Sequence, residues 1–202
     1  MASEGQAHLA WLRSPLYRIL CRLDVALGGK GDWDGEIDEE RDAIRLNPEN
    51  GLAHSSLGTA LAWKGDWDGA ITEQREALRL NPSDNMAHLN LGLALEKESA
   101  GDGAITEFRA ALRINPNNES AHYNLGTAFG STGNRNGEIA EEREVLRLNP
   151  NNDKAHSNLG LALVNTGEWD SALEEFHAAY LLDPMNATYK RNYERLLKRV
   201  NK

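Results

Sequence analysis

Apolar residues recur three and four positions apart in short segments that alternate with turn-forming residues. One such segment covers residues 53–61 and a second covers 70–80, and Gly-Asp-Trp-Asp stands between them at 65–68. This spacing places apolar side chains on one face of a helix, and glycine with aspartate favours a turn. Asn81 and Pro82 end the second segment, because proline disfavours helix in the residue before it. The pattern predicts two helices joined by a tight turn.

This helix pair repeats along the chain with a period of 34 residues. The prolines that follow the second helix recur without insertion or deletion at Pro48, Pro82, Pro116, Pro150 and Pro184. Asp84, Asn118 and Asn152 each offer an oxygen to the free amides at the start of the next helix. One pair cannot bury its apolar face alone, but a stack of pairs shares a continuous core. The sequence therefore predicts a solenoid.

The predicted organisation is five repeats between two terminal segments. Residues 1–16 form an N-terminal segment that can cap the stack. In residues 187–202, tyrosine and aliphatic side chains interleave with basic ones, which predicts an amphipathic capping helix. The five repeats span residues 17–50, 51–84, 85–118, 119–152 and 153–186.

The period and its motif resemble the tetratricopeptide repeat. The Leu-Gly element ends at Gly58, Gly92, Gly126 and Gly160, the small residue is Ala70, Ala104 or Ala172, and the aromatic is Phe108 or Phe176. The resemblance covers residues 17–186. It implies an all-α fold, a right-handed superhelical solenoid of antiparallel helix pairs.

Several repeats depart from this motif. Asp24 replaces the glycine of the first repeat, and Glu36 and Glu138 replace the small alanine. These changes predict looser packing or a local ion pair in the first and fourth repeats. The aromatic position is polar at Glu40, Gln74 and Glu142. We expect the repeats that contain these three residues to be weakened.

Composition limits the class of protein. Of the 202 residues, 40% are hydrophobic and 26% are charged, which is typical of an ordered chain, and no run approaches the roughly 20 apolar residues that span a bilayer. Charged residues interrupt the first 25 positions, so a secretory signal is not expected. The single cysteine, Cys21, excludes an intramolecular disulfide. These features predict a cytoplasmic protein.

The charge is distributed unevenly. The net charge is −9, and residues 187–202 carry +5, which leaves −14 for residues 1–186. An acidic body repels the phosphate backbone, so nucleic acid is not an expected partner.

The resemblance implies that the first helix of each pair lines a concave groove, into which the sixth residue of each repeat points. Asparagine stands at this position, or at its equivalent after the last repeat, as Asn90, Asn124, Asn158 and Asn192. An amide both donates and accepts, so this ladder can bind the backbone of an extended peptide whatever its side chains. The alternative is that asparagine is a common solvated residue at this position.

Other residues are candidates for the same groove. Trp63, Leu89, Tyr123 and Lys154 are predicted to line it, and Trp63 is of the residue type that anchors interfaces. Asn124 and Lys154 suit a clamp for the terminal carboxylates of chaperone tails. However, Asn158 replaces the arginine of such a clamp, so that ligand is not expected.

The sequence indicates no catalytic or metal site. His54, His88, His122 and His156 recur with the repeat, but they fall in separate layers roughly 10 Å apart, too far to share one zinc ion. We predict that they pack between helices. The carboxylates lie on repeated surface positions without a convergent cleft, so no enzyme activity or cofactor is predicted.

The sequence therefore favours a non-catalytic protein–protein interaction module that binds an extended peptide in its groove. One alternative is a self-associating scaffold or homo-oligomer, in which the basic C-terminal helix of one copy docks on the acidic body of another. A second is the regulatory or recruiting segment of a larger enzyme. Attachment of the basic tail to a membrane surface is less favoured, because that tail already suits a cap, and no membrane insertion is expected.

Overall fold

A computed structural model of the protein describes residues 32–200, and within that range the chain forms ten helices and no strand. The predicted N-terminal segment, the first helix of the first repeat, Cys21 and Asp24 lie outside the described residues. The helices are α1 (Trp33–Leu46), α2 (Gly51–Trp63), α3 (Trp67–Leu80), α4 (Asn85–Lys97), α5 (Gly101–Ile114), α6 (Glu119–Ser131), α7 (Arg135–Leu148), α8 (Asp153–Thr166), α9 (Trp169–Leu182) and α10 (Ala187–Val200).

The chain divides into two compact units, Met1–Pro82 and Ser83–Lys202. In the described part of the first unit, α2 packs against both α1 and α3. Its buried apolar side chains include Ile37, Leu57 and Ile71. These residues follow the three- and four-residue spacing of the sequence and form the core of this unit.

In the second unit, each helix from α4 to α9 packs against the helix that follows it, and α4 also contacts α6. Phe108, Leu125 and Phe129 belong to one core cluster, and Leu159 and Phe176 belong to another. The first helices of successive pairs, α4, α6, α8 and α10, carry the predicted asparagine positions.

Side-chain caps explain where most helices begin. The predicted caps at Asp84, Asn118 and Asn152 are confirmed, since each side-chain oxygen accepts a hydrogen bond from a backbone amide in the first turn. For example, Oδ1 of Asn118 accepts from the amide of Ala121 at 3.1 Å. Such a bond satisfies one of the amides that lack a partner within the helix.

Close helix contacts depend on glycine at the Leu-Gly positions. A Cβ added at Gly92 would lie 2.5 Å from the ring of Phe108, and one added at Gly160 would lie 2.6 Å from the ring of Phe176. Glycine is therefore the residue that lets an aromatic ring pack directly on the backbone of the first helix.

Polar residues replace that aromatic without leaving the core. Glu40, Gln74 and Glu142 are all at most 1% exposed. The local ion pair predicted for the fourth repeat is confirmed, because Arg135 Nη1 lies 2.8 Å from Glu138 Oε2.

Helix α10 closes the described chain and packs on α9. It buries Tyr189 and Leu196, and the Tyr189 hydroxyl donates to Asp153 Oδ2 at 2.9 Å. Burial, followed by the bond to Asp153, raises the pKa of Tyr189 to about 12, so the hydroxyl keeps its proton as a donor. Among the described helices, none is long and apolar enough to cross a bilayer.

Candidate functional site

The four predicted ladder residues lie on α4, α6, α8 and α10. The side chains of Asn90, Asn124, Asn158 and Asn192 are all partly exposed rather than buried or fully solvated. Each of these residues therefore keeps part of its surface in contact with solvent.

The asparagines differ in their hydrogen bonds. Asn124 Nδ2 donates to the Ser120 carbonyl at 2.8 Å, and Asn158 Nδ2 donates to Glu142 Oε1 at 3.0 Å. Within residues 32–200, neither Oδ1 has a protein partner, and the side chain of Asn192 makes no hydrogen bond. Asn90 is also engaged within the protein. Asn124 and Asn158 therefore each keep one N–H of Nδ2 and the acceptor Oδ1 without a partner among the described residues.

Three predicted residues surround one cavity of about 210 Å³ between α6 and α8. Tyr123, Asn124 and Lys154 line it together with Glu119, Ser120 and Asn152. Lys154 is exposed and forms no ion pair with any residue in the described range. An aromatic ring, an amide and an ammonium group thus meet at one site.

One of the lining residues, Glu119, has its carboxylate held by hydrogen bonds within the protein. Oε1 of Glu119 accepts from Asn149 Nδ2 at 3.1 Å and from Asn152 Nδ2 at 2.9 Å. These bonds fix the first residue of α6 against the turn before α8. Among the residues that line the cavity, Lys154 carries the positive charge and Glu119 the negative one.

The prediction that Leu89 lines the groove is wrong. Leu89 is 5% exposed and belongs to the core cluster that contains Ala104 and Leu125. Its side chain packs among neighbouring helices, so it offers no contact area to a ligand.

Trp63 lies in the first compact unit and is 60% exposed. Its ring stacks on Trp33, with centroids 5.4 Å apart and an interplanar angle of 2°. Lys64, the next residue, pairs with Asp34. Trp63 therefore keeps one exposed ring face, while Trp33 covers the other.

The repeated histidines connect the helices of each pair. Nδ1 of His54, His88, His122 and His156 lies 2.6 Å from Oε2 of Glu73, Glu107, Glu141 and Glu175, respectively. The Nε2 atoms of His54, His122 and His156 lie 3.0 Å from the carbonyl oxygens of Pro48, Pro116 and Pro150. A carbonyl only accepts, so each of these Nε2 atoms donates.

Sequence reasoning identified the packing role of these histidines but missed their glutamate partners. The available signal was the glutamate 19 residues after each histidine, itself recurring with the period of 34. In the part of the chain that the structure describes, no group of three His, Cys, Asp or Glu residues is arranged to hold a metal ion.

Glu142 is the most perturbed carboxyl near the candidate site. Burial raises its pKa to about 8, although the bond from Asn158 favours the charged form, and Glu138 and Glu141 raise it further. Its Oε2 has no hydrogen-bond partner among residues 32–200. A buried carboxyl therefore lies directly behind the Asn158 amide.

The stacked helix pairs define an all-α superhelical repeat fold. This fold is that of a protein–protein interaction module. Tetratricopeptide repeat family models match residues 40–84 and 64–119 and residues 153–186. The protein belongs to the tetratricopeptide repeat family. No curated protein sequence matches the chain.

Solved structures share this fold at low sequence identity. A crystal structure of MamA is 24% identical with a TM-score of 0.73, and the match covers 84% of this chain and 97% of that one. The MamA fragment 41–end from Desulfovibrio magneticus RS-1 has the same identity and TM-score, with coverage of 85% and 96%. YrrB, described as a tetratricopeptide repeat protein with an unusual peptide-binding site, is also 24% identical with a TM-score of 0.73, with coverage of 80% and 84%.

Proposed function

We propose that this protein is a non-catalytic interaction module that holds an extended peptide against α6, α8 and α10. The observation that carries the proposal is the cavity where Tyr123, Asn124 and Lys154 meet. YrrB, of the same fold, has a peptide-binding site according to its description. The proposed setting is the cytoplasm, on the basis of the single cysteine.

The hydrogen bonds of the asparagines determine how such a peptide is read. The Nδ2 atoms of Asn124 and Asn158 each use one N–H within the protein, so the second N–H can donate to a backbone carbonyl of the ligand while Oδ1 accepts from a backbone N–H. Packed helices lie roughly 8–10 Å apart and an extended chain advances about 3.3 Å per residue. Each asparagine would therefore serve about every third residue of the ligand.

The side chains around the cavity supply the remaining contacts. The Tyr123 ring gives the peptide an apolar surface, and Lys154 attracts a carboxylate. Neither group reads a long sequence, so the module binds a class of peptides, with its selectivity set near the cavity.

A peptide display selection tests this function. Twelve-residue random peptides are selected on the wild type, and the affinities of the enriched peptides are then compared between variants. We expect Asn124→Ala to weaken binding about tenfold, because the ligand backbone loses its hydrogen bonds to this amide. A tenfold change corresponds to about 1.4 kcal/mol. The matched control is Asn136→Ala, which removes an exposed asparagine of α7. Equal binding by both variants, or no enrichment on the wild type, would contradict the proposal.

Self-association is the second candidate function. The exposed side of α10 carries Lys190, Arg191, Arg195 and Lys198, while the rest of the chain is acidic. A contact of these opposite charges weakens with salt. We expect such an oligomer to lose mass in light scattering as the salt concentration rises. A constant monomer mass at all protein and salt concentrations would rule this candidate out.

A further inference from the structure

A second cavity of about 210 Å³ lies among α8, α9 and α10, away from the cavity at Tyr123. Leu161, Val164 and Trp169 contribute apolar walls, and Asn192, Arg195 and Arg199 contribute polar ones. Leu161 is 45% exposed even though it is aliphatic. The site therefore combines an accessible apolar surface with hydrogen-bond donors.

The two arginines of this cavity are free to bind an anion. Within residues 32–200, neither forms an ion pair, whereas Arg135 and Arg147 each pair with a glutamate three residues away. Arg195 and Arg199 are four residues apart, so they lie on the same face of α10. A guanidinium presents several N–H donors that match a carboxylate.

Trp169 fixes the position of one of them. The Arg199 guanidinium lies 4.0 Å above the Trp169 ring. This stacking occupies the face of the guanidinium and leaves the N–H groups at its edge available. The ring thus serves both as an apolar wall and as a support for a cation.

The size of the cavity limits its occupant. Sites for drug-sized ligands and cofactors measure about 300–1,000 Å³, so a cavity of about 210 Å³ fits one large side chain better than a whole cofactor. The surrounding charge narrows the choice further. Residues 187–202 carry +5 in a chain of net charge −9, so the long-range field favours an acidic ligand at α10 over the acidic remainder of the chain.

We infer that this cavity is a subsite for an acidic peptide segment. One bulky apolar side chain enters between Leu161 and Trp169, and carboxylate side chains on the adjacent residues bind Arg195 and Arg199. The inference rests on the proposed function, because Asn192 is both a ladder residue and a wall of this cavity. Beyond that function, the inference specifies that the peptide carries acidic residues and that these residues lie at α10.

Peptides of defined composition test the subsite. The ligand is a fluorescein-labelled ten-residue peptide of glycine and serine, with one leucine flanked by two aspartates and with a C-terminal amide. Two matched peptides replace the aspartates by asparagine or the leucine by alanine. We expect fluorescence anisotropy to show about tenfold weaker binding for each replacement. Equal binding of the three peptides, or no binding below about 1 mM, would overturn the inference.

Protein variants locate the contact. Arg195→Gln removes one cation of the cavity, and Lys190→Gln removes an exposed charge of the same helix that does not line it. We expect the first to abolish the preference for aspartate over asparagine and the second to preserve it. Leu161→Ser should abolish the preference for leucine over alanine while the aspartate preference remains. Circular dichroism checks that each variant keeps its helices.

The two proposals fail in different ways. If Asn124→Ala weakens all three peptides alike and Arg195→Gln leaves the aspartate preference intact, the extended-peptide function stands and the subsite is wrong. If only Arg195→Gln acts, the subsite stands and the ladder at Asn124 is wrong. If Lys190→Gln loses the aspartate preference as completely as Arg195→Gln does, the preference reflects only the net charge of α10, and the subsite is wrong.

Discussion

The side-chain nitrogen of Asn158 donates a 3.0 Å hydrogen bond to Oε1 of Glu142, joining a ladder position of α8 to a carboxyl buried in α7. Glu142 occupies the position where Phe108 and Phe176 stand in the neighbouring pairs. It is 0% exposed, and its pKa is raised to about 8. The carboxyl is therefore mostly protonated at neutral pH, and its second oxygen, Oε2, has no hydrogen-bond partner in the described part of the chain.

Glu142 should make the stability of the protein depend on pH. Its pKa is higher in the folded chain than the ordinary value of 4.5, so the folded state binds the proton more tightly. This contribution is fully present below pH 4.5 and is lost as pH rises toward 8, by at most about 1.4 kcal/mol per pH unit. Because glutamine does not titrate, we expect the wild type to lose stability relative to Glu142→Gln as the pH rises from 4.5 to 8. Urea denaturation at several pH values measures it.

A partly exposed glutamate of the same helix, Glu144, provides the control for that series. The bond from Arg147 holds the pKa of Glu144 below its ordinary value. The difference in free energy of unfolding between Glu144→Gln and the wild type should therefore stay constant above pH 6. A constant difference for Glu142→Gln across the same range would show that the buried carboxyl does not titrate there.

Glycines at the Leu-Gly position should differ in their tolerance of alanine. At Gly92 the new Cβ meets the Phe108 ring at 2.5 Å, whereas at Gly126 the nearest atom is Glu142 Oε1 at 3.2 Å. Overpacking costs about 1–3 kcal/mol, and replacing a helical glycine by alanine recovers about 1 kcal/mol. We expect Gly92→Ala to destabilise and Gly126→Ala to be closer to neutral. Urea midpoints of the two variants test this order, and a reversed order would refute it.

The contact between His122 and Glu141 should stabilise the α6–α7 pair. His122 bridges the Glu141 carboxylate and the Pro116 carbonyl, at 2.6 Å and 3.0 Å. Hydrogen bonds to charged groups contribute about 1.5–3 kcal/mol. We expect Glu141→Ala to lower the free energy of unfolding by roughly this amount, and a double-mutant cycle with His122→Ala to show coupling. Additive effects of the two substitutions would contradict it.

Much of the fold could be predicted from the sequence, because the signals are local and repeated. The proline spacing gave the period, and the caps at Asp84, Asn118 and Asn152 follow from their place before an apolar segment. The histidines were assigned correctly to packing. Their glutamate partners were missed because a contact between two helices has no signature within either one.

The candidate site was less predictable. Position within the repeat placed Tyr123, Asn124 and Lys154 on neighbouring first helices, and they do line one cavity. The same reasoning failed for Leu89, whose burial depends on packing against neighbouring helices. The cavity at Arg195 and Arg199 could not be predicted, because it depends on how α10 packs on α8 and α9.

The backbone at Ser99 should be strained. Its φ is 60°, in the left-handed region, where Gly65, Gly133 and Gly167 occupy the same position of other pairs with φ between 82° and 86°. This conformation is less stable by roughly 1–2 kcal/mol for a residue with a Cβ. We expect Ser99→Gly to raise the free energy of unfolding by about 1 kcal/mol. Gly133→Ser is the reverse change, and since an added Cβ there would meet nothing within 4 Å, its cost would be backbone strain alone. Opposite shifts in thermal midpoint support this explanation, and destabilisation by both substitutions would refute it.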